Sequence, residues 1–255
     1  MYGQQFMVDN GVVYSSDGKQ VITCLPYVSG AMKIAKGVEN IHDAAFAGCT
    51  RLSSVVLPSS LRTIGKNGFY YCHALSEIRS YAVEPPTVGD DAFYGIDTTV
   101  TKLFVRHNCS QAYKTANVWN SFFSTPGVAS EFGALIKGGT NIRKYGEENP
   151  TKFRYTTTIY GTFSFTGEPA ATCEATRYSA PGRYPVKFSA GTIDDEAVEF
   201  QDGVLIVQAT PTDIENVETS TSENKANVLF NLSGQRVGKD YKGIVVRKGK
   251  KYIKN

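Results

Sequence analysis

An internal repeat constrains this chain more than any other feature. Ile34-x6-Ile41-x4-Phe46-x2-Cys49-x2-Leu52-x2-Val55 can be written beneath Leu57-x6-Ile64-x4-Phe69-x2-Cys72-x2-Leu75-x2-Ile78, and each of the six pairs is offset by 23 residues. A degenerate third copy follows at an offset of 24, with Val88, Ala92-Phe93 and Ile96 in the cysteine slot, then Leu103 and Val105. Six apolar or cysteine positions held in phase point to successive structural units that present the same side chains to a shared interior.

A period in this range with Leu-x-x-Leu-x-Leu spacing predicts a leucine-rich solenoid, right-handed and with a β-strand in each coil. In Leu52-Ser-Ser-Val55-Val-Leu57 the strand alternation sends Val55 and Leu57 inward and Ser54 and Val56 outward. Pro58 has no N–H to give to a parallel ladder and ends the strand. One coil cannot bury its own apolar side, so stability has to come from repeat-to-repeat contact. Phe46, Phe69 and Phe93 are expected to stack inside, and Cys49 and Cys72 to fill space as small hydrophobes. A redox pair between adjacent coils is the sharper reading of those cysteines; Ile96 in the same slot favours packing. The five cysteines, Cys24, Cys49, Cys72, Cys109 and Cys173, form no C-x-x-C pair and are odd in number, against a disulfide framework or a zinc site.

The run Ile41-x4-Phe46-Ala-Gly-Cys49-x2-Leu52-x2-Val55-x-Leu57-Pro58-x2-Leu61-x2-Ile64-Gly65 resembles the BspA-like leucine-rich repeats of Bacteroidetes-type surface proteins. Phe6 to Tyr14 with Asp17-Gly18-Lys19 looks like that family's leading hairpin. Leu103-Phe-Val105, Ala112-Tyr113-Lys114 and Trp119-x2-Phe122 look like a last coil and capping helix. The array is short for the family and has Ile34-Ala35 where Ile-Pro is usual, which implies further coils upstream.

After Phe123, Ser124 to Ser130 reads as a linker, and the pattern then changes to short strands between turn signals. Strands are predicted at Ala134–Ile136, Phe153–Thr157, Thr172–Thr176, Tyr184–Phe188 and Val204–Val207. The turns fall at Tyr145-Gly146, Asn149-Pro150, Gly167-Glu168-Pro169, Ala180-Pro181-Gly182 and Asp202-Gly203. Lys144-Tyr-Gly146-Glu-Glu-Asn149-Pro150, Pro181-Gly182-x-Tyr184-Pro185-Val186 and Gly203-Val-Leu205-Ile-Val207 are similar to the YGX-type MBG domains of bacterial extracellular proteins, which implies a spacer or adhesion module, β-grasp-like or Ig-like. The end, with Val228-Leu-Phe-Asn-Leu-Ser-Gly234-Gln-Arg-Val237 and Lys242-Gly-Ile-Val-Val246 before Lys248-Gly249, predicts hairpins and looks like the C-terminal tails of Bacteroidetes-type secreted proteins, some of which direct type IX secretion; the resemblance is open to a working sorting signal or a vestigial terminal hairpin.

The predicted fold is therefore mainly β. Residues 1–30 form a hairpin or incomplete coil, 31–123 the repeats with their capping helix, 129–210 a small all-β domain and 211–255 a linker with a hairpin tail. A net charge of +3, from 27 basic and 24 acidic residues, is too small to argue for nucleic acid or an anionic membrane. No stretch approaches the roughly 18 consecutive apolar residues of a membrane span. Met1-Tyr-Gly-Gln-Gln5 has no basic and apolar leader, so any export signal is expected upstream or already removed.

Chemistry is sparse. His42, His73 and His107 read as exposed coil histidines, and adjacent Cys72 and His73 point apart. Asp90-Asp91, Glu147-Glu148 and Asp194-Asp195-Glu196 lie beside turn residues and do not follow the D-x-D-x-D-G calcium pattern. No G-x-S-x-G, H-E-x-x-H, P-loop or G-x-G-x-x-G motif occurs. The chain is expected to be a non-enzyme with no cofactor, no metal and no catalytic residue. What remains is surface. Ser54, Val56, Glu77, Arg79, Phe104 and Arg106 should share the outward strand face, an extended surface suited to recognition. The expectation is a secreted or cell-surface adhesion protein that binds an extracellular protein or glycan, with no nucleic acid partner and no membrane insertion. The alternative is a structural spacer or fimbrial component that binds other bacterial surface proteins.

Overall fold

The computed structural model describes residues 6–210 together with the strand segments 229–231, 236–237, 243–247 and 250–254. The chain opens on a hairpin, β1 (Phe6–Asp9) and β2 (Val12–Ser15), followed by β3 (Gln20–Cys24). Longer and shorter strands then alternate: β4 (Gly30–Lys33), β5 (Asn40–Ile41), β6 (Leu52–Leu57), β7 (Thr63–Ile64), β8 (Glu77–Ser80), β9 (Thr87–Val88) and β10 (Lys102–Arg106). The short strands continue the hairpin sheet in the order β1-β2-β3-β5-β7-β9, parallel from β3 onward, while the long ones form a second parallel sheet ordered β4-β6-β8-β10.

The repeat arithmetic sets the register. Val55 pairs with Ile78, and Ile78 with Leu103. All twelve in-phase positions of the first two copies are buried, at 3% exposure or less. Between the sheets the three rings stack: Phe46 on Phe69 at 4.8 Å and 6°, Phe69 on Phe93 at 5.7 Å and 20°. A backbone ladder runs beside them, from Phe46 N to Gly68 O and from Phe69 N to Ala92 O, each 2.8 Å. The stack is closed by a short helix, α1 (Ser110–Thr115), and a 3-10 turn (Trp119–Phe123). Trp119 and Phe122 meet Phe93 edge-on, Trp119 Nε1 donates to Pro86 O at 2.8 Å, and the buried Tyr113 hydroxyl bonds Ser80 and Ala82 O. Each polar group drawn into this closed end thus has a partner, as burial requires.

The cysteines are free, and all but the half-buried Cys173 are buried. Burial pushes the Cys72 thiol up to about 12, while its Sγ donates to Phe46 O at 3.1 Å. Cys24 is also held up, first by its hydrogen bond with Cys49 and then by burial. Buried thiols held up in this way, as Cys24 and Cys72 are, behave as packing groups, since the thiolate is the nucleophile.

Ser124 to Ser130, expected as a linker, gives way at its end to β11 (Ala129–Gly138). The first residues of β11 satisfy the open edge of β10, with Leu103 opposite Ala129 and Arg106 opposite Phe132. The same strand then continues into a second unit, made of β12 (Thr140–Lys144), β13 (Tyr155–Tyr160), β14 (Ala170–Cys173), β15 (Gly182–Ser189), β16 (Val198–Gln201) and β17 (Gly203–Gln208). There β11 lies between β13 and β16, and a four-stranded sheet ordered β12-β17-β15-β14 shares its core through Ile136, Val186, Leu205 and Val207. The backbone changes sheet at two touching places: a Cβ on Gly138 would lie 2.4 Å from Gly203 N, and one on Gly203 would lie 2.7 Å from Gly139 O. Arg143, 4% exposed and without a carboxylate neighbour among the described contacts, is held by Asn149 Oδ1 at 2.8 Å and the carbonyls of Lys144 and Thr176.

Toward the C-terminus, β18 (Leu229–Asn231), β19 (Arg236–Val237), β20 (Gly243–Arg247) and β21 (Lys250–Lys254) form an antiparallel sheet ordered β19-β18-β20-β21. The expected linker after Thr210 and the turns at Gly234 and Lys248-Gly249 lie outside the described residues.

Phe69 carries rings on both faces, so Phe69→Ala is expected to cost about 3–5 kcal/mol. Urea denaturation of the two proteins measures the difference, and an unchanged midpoint would mean the rings do not support the stack.

Candidate functional site

The outward face of the long-strand sheet is laid out in registered rows, because side chains on alternate positions of parallel strands line up across the ladder. Ala31, Ser54, Glu77 and Lys102 form one row; Lys33, Val56, Arg79 and Phe104 form the next. Arg106 lies beyond, opposite Phe132. The six residues singled out from the sequence, Ser54, Val56, Glu77, Arg79, Phe104 and Arg106, are therefore brought onto one face, and all are half-buried.

The second unit reaches over part of that face. The Arg79 guanidinium sits between the rings of Phe104 and Phe132, at 4.8 and 4.9 Å, and bonds Glu77 at 3.3 Å. Arg106 pairs with Glu199 at 3.3 Å. The acidic run 194–196 also lands here: Asp194 pairs with Lys36, the Tyr81 hydroxyl donates to Asp195 at 3.3 Å, and Glu196 Oε2 accepts from Ser59 N at 3.3 Å. Burial, then the charge of Asp195, pushes the Tyr81 phenol up to about 12. The Lys36 ammonium holds the exposed Asp194 carboxyl below its ordinary value. Between this loop and the sheet lies a small crevice walled by Lys33, Ile34, Val56, Pro58 and Tyr81. These carboxylates tie the two units together, and among the described residues no group of three His, Cys, Asp or Glu could hold a metal ion.

Ala31, Ser54 and Lys102 stand outside these contacts. Lys33 and Lys102 belong to the same surface and are exposed. A step of 23 residues back from Val56 gives Lys33, so the repeat itself carried the signal for it.

His42 and His73 are exposed as expected, but His107 is not a coil histidine in solvent. Its ring stacks on Tyr160 at 3.3 Å and 8°, and Nδ1 lies 3.1 Å from Glu131 Oε2. The cause is β11, which brings Glu131 beside the end of β10 and, through β13, Tyr160 as well. Burial alone would raise the Glu131 carboxyl, but hydrogen bonds from the Ser110 hydroxyl, the Asn108 and Ser110 N–H groups and His107 prevail and hold it low.

Stacked parallel strands with one strand pair per period, an inner ladder of leucine, isoleucine and phenylalanine, and an end cap define a leucine-rich-repeat protein. Residues 30–117 match the BspA type Leucine rich repeat region in six copies, and this part of the chain carries those repeats. No curated protein matches the chain. No helix among the described residues is long and apolar enough to cross a membrane.

A carboxyl whose folded-state value is depressed stabilises fully above its unfolded value and loses that contribution as pH falls through the folded one. Glu131 therefore ties the junction fully above the ordinary glutamate value of 4.5 and releases it on further acidification. Glu131→Gln is expected to cost about 1–3 kcal/mol at pH 7 and to flatten the acid-side fall in stability. Denaturation midpoints from pH 7 to pH 3 measure both.

Proposed function

We propose that this chain is a non-catalytic binding or adhesion protein of a bacterial cell surface or secreted fraction. Its leucine-rich repeats form a right-handed solenoid whose outer sheet face takes an extracellular protein or glycan. The observation behind this reading is the registered face itself: Ala31, Ser54, Glu77 and Lys102 in one row, and in the next Lys33 and Val56, which border the crevice under the second unit's acidic loop. A flat array of mixed apolar, hydroxyl and charged side chains on rigid strands suits recognition of a macromolecular surface, because little side-chain and no backbone ordering remains to be done on binding. Residues 129–210 serve as an MBG-type spacer and residues 211–255 as a type IX-like sorting tail. The reading needs no cofactor, nucleic acid partner, membrane insertion or catalytic step.

The second reading, a structural spacer in an envelope or fimbrial assembly, draws on one observation. β11 is shared by both sheets, so the two units are joined by a strand instead of a flexible linker.

Immobilised extracellular-matrix proteins and a glycan panel, probed with the purified chain, test the first reading. At least one ligand is expected to bind, and Val56→Lys, in the middle of the face, to weaken it by tenfold or more, as central interface substitutions do. Failure to bind any of them, combined with recovery of a stable complex with envelope proteins, would leave the spacer.

A further inference from the structure

The repeats build a second surface, away from the strand face, along the turns that hold the phenylalanine stack. In each turn the residue two places after the phenylalanine has a left-handed backbone: Gly48 at φ 72°, Tyr71 at φ 55° and Gly95 at φ 84°. Glycine adopts that conformation freely, whereas a bulky side chain there is a genuine outlier. The middle repeat thus carries a tyrosine where both neighbours carry glycine. Gly95 is also what leaves space for it, since a Cβ at Gly95 would come within 3.1 Å of the Tyr71 ring and 3.3 Å of His73. Backbone strain held in place by the surrounding fold points toward a role for the side chain it displays.

The side chain is displayed outward, in company. Tyr71 is 40% exposed and Tyr94 is 53% exposed. Tyr70 and Tyr94, each directly after a stacked phenylalanine, stack on one another at 5.3 Å and 17°. Tyr71 meets both edge-on, at 4.5 and 5.5 Å, and His73 packs against Tyr71 at 4.9 Å. His73 is fixed in turn by its Nδ1, 3.0 Å from Gly95 O. The result is a cluster of two exposed tyrosines, the half-buried Tyr70 and an exposed imidazole on hydrogen-bonded turns, with Gly48 N bonding Tyr70 O and Tyr71 N bonding Tyr94 O.

Geometry narrows the ligand. An aromatic cage for a quaternary ammonium needs rings set apart around a space for the cation. Here the rings touch each other, so no such space exists between them. A stable protein partner needs roughly 800 Å² per side. Tyr71 and Tyr94, exposed by about half, offer only on the order of 100 Å² each, and the half-buried Tyr70 offers less. What fits is a ligand of one or two rings with a flat C–H face to lie on an aromatic face and a hydroxyl rim to meet the phenol and imidazole groups.

We infer that Tyr70, Tyr71, Tyr94 and His73 form a stacking platform for a pyranose ring of a neutral oligosaccharide. The site is separate from the strand face, and rests on the proposed function only in that the chain binds an external ligand.

The test uses the full chain and a panel of soluble neutral oligosaccharides, three to six glucose, galactose or N-acetylglucosamine units long, with sialylated and sulfated counterparts. Saturation-transfer NMR identifies binders, and calorimetry measures them. At least one neutral member is expected to bind through its ring C–H protons, with affinity reduced about tenfold in Tyr71→Gly and in Tyr94→Ala, and unchanged in Val56→Lys. Tyr71→Gly should leave the melting temperature within a few degrees of the parent, because glycine suits the left-handed slot. A Tyr71 that serves only to hold the turns would instead show a large drop in melting temperature with saccharide affinity intact in Tyr94→Ala. That result overturns the inference, as does silence from every neutral member or binding that both tyrosine variants leave untouched. Loss of matrix-protein binding in Val56→Lys with saccharide binding retained supports both surfaces independently.

Discussion

Three phenylalanine rings in face-to-face contact are the constraint on which the rest of the protein depends. A single 23-residue repeat exposes more apolar surface than it can bury against itself, and the Phe46–Phe69–Phe93 column converts that deficit into contact between repeats. Because the rings are spaced by the repeat, they also hold the long strands in register, and that register lines up the outward rows. The registered outer face is in this sense a by-product of interior packing. Even the tyrosine cluster belongs to the same column, since Tyr70 and Tyr94 follow directly on two of its members.

A stack of this kind leaves an open end wherever it stops, and the two sheets are finished by different means. The interior is closed by Trp119, Phe122 and Tyr113, all fully buried. The long-strand sheet is closed by the start of β11, which then leaves for the second core. One strand therefore satisfies the hydrogen bonds of one unit and founds the next. The polar contacts made by Lys36, Tyr81, Arg106 and His107 reinforce this junction, at the expense of part of the outward face.

How much of this was legible in the sequence depended on whether a residue's role repeats. Ile41 and Ile64, Leu52 and Leu75, Cys49 and Cys72 announced themselves because each recurs in phase, and every one is buried. The second unit offers no such internal comparison. Its predicted strands were found, with shifted ends, but β12 was hidden by an inverted pattern: Asn141 and Arg143 face inward, satisfied by local hydrogen bonds, while Ile142 is 57% exposed. The dual role of β11 was unreadable because Ala129-Ser-Glu-Phe132 looks like the tail of a polar linker until the open edge of β10 is known. Partners far apart in the chain, such as Lys36 with Asp194 or His107 with Tyr160, left no local trace at all. The left-handed slot at Tyr71 lay between both cases: the repeat located it, but only backbone angles show that a tyrosine there departs from its neighbours.

The closing of the stack by Trp119 has a practical side. This is the chain's one tryptophan, its indole fully enclosed by Phe93, Tyr113 and Phe122 and hydrogen-bonded to Pro86. Indole emission consequently reports on the far end of the repeat array and is blind to the core around Leu205 and Val186. Set against a signal that samples both cores, such as far-ultraviolet circular dichroism, it becomes an optical gauge of whether the two units melt together or one after the other.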